Sequence, residues 1–372
     1  MTDVDVASLQ RLVAWATFAI AFVVGIAMSR SNFCTMGAVS DIVNMGDWTR
    51  MRMWLAAIGV AILGTQLLAW SGVIDTAKSI YAAPRLIWLS HVVGGLLFGF
   101  GMVLASGCGT KTLLRAGAGS LKSLIVFVIL GLFAYMTLKG VFGVLRVATV
   151  DRVFVELAGG QDLPRLLARG DGSLARTLHL ALGLLLGGAL LAFAVASREF
   201  RADPRSMLGA LVVGAGVVGV WYVSGHLGYV EEDPRTLEEL FAATNSGRME
   251  SLSYVAPTAF ALELLMFWSD KSKYVSLGIA SVLGLVAGST ADALVSRTFR
   301  WEGLQGTEDT ANHLVGGALM GVGGVTALGC TIGQGMSGLS TLAIGSMIAF
   351  AAIVAGGMAG IRYQAWRVER MI

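Results

Sequence analysis

Apolar stretches of near-constant length recur along the chain, at residues 12–29, 52–74, 86–106, 122–145, 176–197, 207–225, 274–295 and 339–361. Each is close to the ~20 residues that a helix needs to cross a bilayer. Two further stretches, 255–268 and 313–329, are shorter and glycine-interrupted, as broken or re-entrant helices are. The pattern predicts an all-α polytopic membrane protein with about eight to ten membrane-crossing elements plus short broken or re-entrant helices.

Charge orients these elements. Arg198, Arg201 and Arg205 lie in one connection and Arg362, Arg367 and Arg370 in the tail, while the connection 226–254 carries Glu231, Glu232, Asp233, Glu238, Glu239 and Glu250. The positive-inside rule places the two Arg-rich segments and the C-terminus in the cytoplasm and the acidic connection outside. The first residues, Met1-Thr2-Asp3-Val4-Asp5, lack a basic n-region, so the first apolar stretch is expected to be retained as a span. Composition agrees: 55% of the 372 residues are hydrophobic and only 14% charged, against about 25% charged in soluble domains. Glycine accounts for 49 residues, which suits closely packed membrane helices. The net charge of +3 is dispersed and forms no tract suited to nucleic acid.

An internal repeat adds a second level of order. HVVGGLLFGFGMVLASGC at 91–108 and HLVGGALMGVGGVTALGC at 313–330 agree at 11 of 18 positions, with His91 to Cys108 and His313 to Cys330 equally spaced. A weaker echo relates Ser29–Cys34 to Ser296–Arg300, with Cys34 opposite Arg300. Two pseudosymmetric repeats are expected, about 12–145 and 207–361, of inverted topology, joined through a variable connection at about 146–175. Together they make one transport domain over 1–372. Repeated motifs in transporters converge on a central substrate site.

The chemistry concentrates where the repeats end. Cys108 lies between Gly107 and Gly109 and is followed by Thr110 and Lys111; Cys330 lies between Gly329 and Thr331 and is followed by Gly333, Gln334 and Gly335. Glycine beside cysteine interrupts a helix readily. The bared amides at the start of the next helix then favour an anion, and a thiol beside them favours a soft, polarisable sulfur. A lone buried Cys is usually a small hydrophobe, but two at one repeat position point to function. Cys34, at the end of the first span, fits either reading. Arg30, Lys111, Arg297 and Arg300 fit both headgroup snorkelling and anion attraction. Glu263 and Asp292, within or beside apolar stretches, read as structural ion pairs or proton-coupling groups. His91 and His313 read as helix anchors. Three widely spaced Cys and four His make neither a disulfide framework nor a metal site, and no nucleotide-binding or hydrolase motif occurs. No cofactor and no enzymatic activity are expected.

These residues resemble the YeeE/YedE sulfur-transport family. The resemblance rests on Ser-Arg-Ser-Asn-Phe-Cys34, on Ser-Gly-Cys108-Gly-Thr-Lys with Arg115, and on the long ending around Cys330. Val-Ser-Gly-His-Leu-Gly at 223–228 and Leu-Ser-Tyr-Val-Ala-Pro-Thr at 252–258 extend it over nearly the whole chain. It implies a bacterial inner-membrane protein that takes up thiosulfate past three cysteines, matching Cys34, Cys108 and Cys330. Each thiol would offer a weak S–H contact to the anion's terminal sulfur. A small cytoplasmic sulfur-carrier protein is a candidate recipient that the sequence itself does not decide. One position departs: the family commonly carries Arg where this chain has Lys111. Two alternatives stay open, a membrane sulfurtransferase that keeps the sulfur as a cysteine persulfide, and a transporter of another small sulfur or selenium anion.

Overall fold

The computed structural model describes residues 6–233, 237–304 and 306–370; the acidic start of the chain lies outside these. Among the described residues the chain is helical, with two minimal two-stranded ribbons. The helices are α1 (Val6–Arg30), α2 (Thr35–Met45), α3 (Thr49–Ser71), α4 (Trp88–Leu104), α5 (Gly109–Gly117), α6 (Leu121–Lys139), α7 (Val141–Ala148) and α8 (Leu163–Ala168). There follow α9 (Gly172–Leu182), α10 (Gly188–Val195), α11 (Arg198–Ala202), α12 (Pro204–Tyr222), α13 (Ala256–Met266), α14 (Leu277–Val295), α15 (Gly306–Thr326) and α16 (Ile344–Glu369). Eight helical units among the described residues are long and apolar enough to cross a membrane. They match the apolar stretches read from the sequence, with α9 and α10 joined by a π-helical turn into one crossing. The short segment at Ala256–Met266 is α13. The chain is thus a polytopic membrane protein.

Glycine sets the packing at the centre. α4 runs antiparallel to α15, and the two backbones touch through four glycines. A Cβ on Gly94 would stand 2.7 Å from the Gly323 carbonyl oxygen, and one on Gly101 would stand 2.8 Å from that of Gly316. Seen from the other helix, Gly316 faces Gly101 at 2.7 Å and Gly323 faces Gly94 at 2.6 Å. No side chain fits at such separations, so the close approach requires glycine on both sides. α1 runs parallel to α14, with Gly284 against Phe18 and Gly25 against Leu285; α12 runs parallel to α3, with Gly64 against Val218 and Gly214 against Ala57.

The connection 146–175 forms a strap on the acidic-loop side. Its strand β2 (Val155–Glu156) pairs with β1 (Arg85–Leu86). Beyond it, Leu163 N–H donates to the Leu342 carbonyl (3.2 Å), and Ile344 N–H donates to the Gln161 carbonyl (3.1 Å). The Gln161 side chain accepts from Gly345 N–H and donates to the Ala83 carbonyl. The strap therefore grips the turn between the Cys330 segment and α16.

Candidate functional site

Each cysteine occupies the same kind of turn. Asn32, Ser106 and Leu328 stand two residues before Cys34, Cys108 and Cys330, with φ of 50°, 55° and 58°. In each, the left-handed residue's N–H returns to the carbonyl three residues back: Asn32 to Ser29, Ser106 to Val103, Leu328 to Val325. The next N–H reaches five residues back: Phe33 to Met28, Gly107 to Met102, Gly329 to Gly324. These are Schellman closures of the preceding helices. The sequence suggested that glycine beside cysteine breaks the helix. The left-handed residue is instead the non-glycine one before it, with Gly107 and Gly329 a step later.

After each closure the chain re-enters a helical turn, with the cysteine at its mouth. Cys34 is the N-cap of α2, its sulfur accepting Gly37 N–H at 3.4 Å, and Cys108 is the N-cap of α5. Cys330 accepts Gly333 N–H at 3.4 Å and leads into the π-helical segment Gly333–Gly338. All three are free thiols and buried. Cys34 and Cys108 lie close enough to act on one another electrostatically, and Thr331, from the turn of Cys330, lies beside Cys108. The two repeat motifs thus meet in one interior region.

The surroundings are polar. The buried hydroxyls of Thr35, Thr110 and Thr331, one beside each cysteine, find no oxygen or nitrogen partner. The buried hydroxyls of Tyr81 and Tyr254 also have none, and both rings lie near Cys330. Gln334 donates to the Ala327 carbonyl at 2.5 Å, while its Oε1 is unpartnered. Gly333 packs against Ser253, and Gly335 against Phe350. Phe33, Trp54 and Phe350 form a ring stack on one flank, with centroids 4.9 and 6.1 Å apart.

Two open chambers approach this interior from opposite sides. On the acidic-loop side, a cavity of about 1110 Å³ is bordered by Lys78, Arg165, Arg176, Arg248, Asp75 and Asp171. Lys78 pairs there with Glu239 and Arg165 with Asp75. On the Arg-rich side, a cavity of about 870 Å³ is bordered by Arg30, Lys111, Arg115, Arg205 and Asp292. Lys111 donates to Asn32 Oδ1 at 3.3 Å and so stands beside Cys34 and Cys108. Of the predicted cations, Arg30 and Lys111 reach this chamber. Arg297 and Arg300 are exposed and do not line it. Both apolar-stretch carboxylates are in ion pairs: Asp292 with Arg30 (2.6 Å), Glu263 with Lys139 and Lys273. His91 on α4 contacts the Ala327 carbonyl just past α15, whereas His313 contacts the Asp309 carbonyl one turn back in its own helix. No group of metal-ligating side chains occurs among the described residues.

Residues 30–359 match the sulphur transport family model. The chain belongs to the sulphur transport family. Among members of the family, it is 28% identical to the thiosulfate transporter TsuA of Escherichia coli (strain K12), over 84% of this chain and 83% of that one. It is 24% identical to the thiosulfate transporter TsuA of Spirochaeta thermophila, over 90% and 94% of the two. A shorter match, 32% over 26% of this chain and 22% of the other, relates it to the probable transporter YedE of Salmonella typhimurium. The family span includes all three cysteine turns. Tyr81, Tyr254 and Thr35 were not singled out by residue type or spacing, and Arg205 was read only as a topology signal. Only Tyr254 lay in a motif that resembled the family, and the others join the site through folding alone.

Proposed function

We propose that this protein takes up thiosulfate across the bacterial inner membrane, along a route from the acidic-loop chamber past Cys330, then Cys108 and Cys34, to the Arg-rich chamber. The observation that carries this reading is the set of unpartnered buried hydroxyls, one threonine beside each thiol and two tyrosines at Cys330. Buried donors without partners cost stability and are retained where a ligand completes them. Thiosulfate is a dianion, and moving it bare into hydrocarbon costs on the order of tens of kcal/mol. Hydroxyl and amide donors replace water at its oxygens, while the thiols contact its terminal sulfur weakly enough to let it pass. Lys111 receives it at the exit. The Arg-rich face is cytoplasmic, and a small sulfur-carrier protein fits there as recipient.

The same reading includes two inverted repeats. Exchanging α1 with α12, α2 with α13, α3 with α14, α4 with α15 and α6 with α16 returns the main packing partners among these helices. The antiparallel contact of α4 with α15 supports it, since Gly94–Gly323 and Gly101–Gly316 interchange. Under this exchange Cys34 corresponds to the turn before α13, where Tyr254 stands, and not to Arg300. Cys34 beside Cys108 then mirrors Tyr254 beside Cys330.

The test is uptake of labelled thiosulfate into sealed proteoliposomes. Cys108→Ala and Cys330→Ala are each expected to lower initial uptake at least ~10-fold, the loss of about 1.4 kcal/mol or more from the passage barrier. Undiminished uptake in both ends the relay. A mass gain of one sulfur on either cysteine, with no intact thiosulfate inside, would make the protein a sulfurtransferase.

A further inference from the structure

The Arg-rich chamber poses a problem for release. Arg30, Lys111, Arg115 and Arg205 border it, and Asp292 is the one carboxylate among its described residues. A dianion leaving the thiols meets four cations at once, and conduction fails where binding is too tight. Asp292 is a strange residue to find there, because a carboxylate repels the anion that the other four attract. It is buried to 7% exposure, whereas the Arg30 side chain it holds at 2.6 Å is 60% exposed and free to swing. Among the described residues Lys111, Arg115 and Arg205 form no ion pair; Lys111 is held by an amide and Arg115 by the Ser106 carbonyl, at the turn of Cys108.

We infer that Asp292 is a resident counter-anion that competes with the departing oxyanion for Arg30 and so sets the rate of release into the cytoplasm. Arg30 pairs with Asp292. An arriving dianion, drawn by Lys111, Arg115 and Arg205, takes Arg30 as a fourth partner. Asp292 then reclaims Arg30, and the anion leaves a chamber with one cation fewer facing it. No bond is made or broken and no proton is required. Arg30 and Asp292 cap the parallel pair α1 and α14 at one end, so a swing of Arg30 costs no backbone movement. The chemical class recognised is a small divalent oxyanion, held by charge and not by sulfur. This inference rests on the chamber being the exit of the proposed route.

The experiment measures two quantities on the full-length protein: equilibrium binding of labelled thiosulfate and of labelled sulfate in detergent, and initial uptake and its KM in proteoliposomes. Asp292→Asn is expected to tighten both anions three- to ten-fold, and to lower KM and maximal uptake together. Asp292→Glu keeps the competitor and stays within two-fold of wild type. The decisive variant is Asp292→Asn with Arg205→Gln, which restores the charge count at a chamber cation that forms no ion pair with Asp292, and returns affinity and turnover toward wild type. A clamp that merely ties α1 to α14 predicts no rescue there and no gain of affinity in Asp292→Asn, and either result overturns the inference. Should Asp292→Asn not fold, Arg205→Glu adds a carboxylate at an exposed position and is expected to weaken sulfate binding several-fold; unchanged affinity overturns the inference. Absence of thiosulfate uptake by the wild type, with sulfate still tightened by Asp292→Asn, would remove the proposed function and leave the counter-anion standing.

Discussion

At the scale of single residues, the recurring device is a left-handed non-glycine residue two positions ahead of each cysteine. Such a conformation costs an L-residue about 1–2 kcal/mol, least for Asn and most where the side chain branches at Cβ. Ser106→Gly is therefore expected to preserve or slightly raise the thermal stability of the purified protein. Ser106→Val should lower it by about 1–2 kcal/mol and displace Cys108, reducing uptake with it. Equal melting behaviour in the two variants would show that the turn carries no strain. The cysteines were legible in the sequence because two of them close a repeat. The turn was not, since Asn32, Ser106 and Leu328 share no chemistry and only the backbone makes them alike. Arg297 and Arg300 were legible as cations near a span end, yet the chain leaves α14 through a turn that keeps both out of the chamber.

Among elements, the strap at 146–175 was the least readable. Its sequence has no periodicity, and its role depends on a turn nearly two hundred residues later. Asp162 is the titratable group at its grip. The carboxylate is buried, accepts the Thr76 hydroxyl at 2.5 Å and lies 3.8 Å from His179, and its other oxygen has no partner. Arg165 and Asp75 complete the charged groups around it. Burial pushes its pKa up to about 6, against the partial opposition of Thr76 and Arg165. A carboxyl raised in this way is neutral more readily in the folded protein than in the unfolded chain, so its contribution favours folding at low pH. That contribution declines as pH rises from the ordinary carboxylate range through about 6. The protection factors of the amides at 161–163 and 344–345, their exchange rates corrected for intrinsic base catalysis, are expected to be higher at pH 5 than at pH 7.5. Asp162→Asn should abolish the difference, and a pH-independent wild type would contradict this account. The existence of the spans was readable, with ends displaced by as much as eight residues, because bilayer thickness dictates their length whatever packs beside them.

For the whole molecule, sidedness is the property on which both chambers depend. A cysteine introduced at Arg201, in a background without the native thiols, is expected to react with an impermeant maleimide only from the cytoplasmic face, and one at Arg248 only from the outside. The reverse pattern would invert the direction of the route. The α4–α15 contact governs assembly. Gly323→Val would push a branched side chain into the Gly94 backbone, and overpacking of this kind costs about 1–3 kcal/mol or more. Loss of the monodisperse species on size exclusion is the expected outcome, while the same change at exposed Gly303 is expected to leave it intact. The four-glycine contact has one more consequence. Two backbones pressed together where no side chain can enter have no neighbouring register to slip into, because any axial slide brings bulk into the gap. The crossing therefore behaves as a welded keel, and whatever gating accompanies transit belongs to short hinged pieces and swinging side chains hung from it, not to one half of the protein rocking over the other.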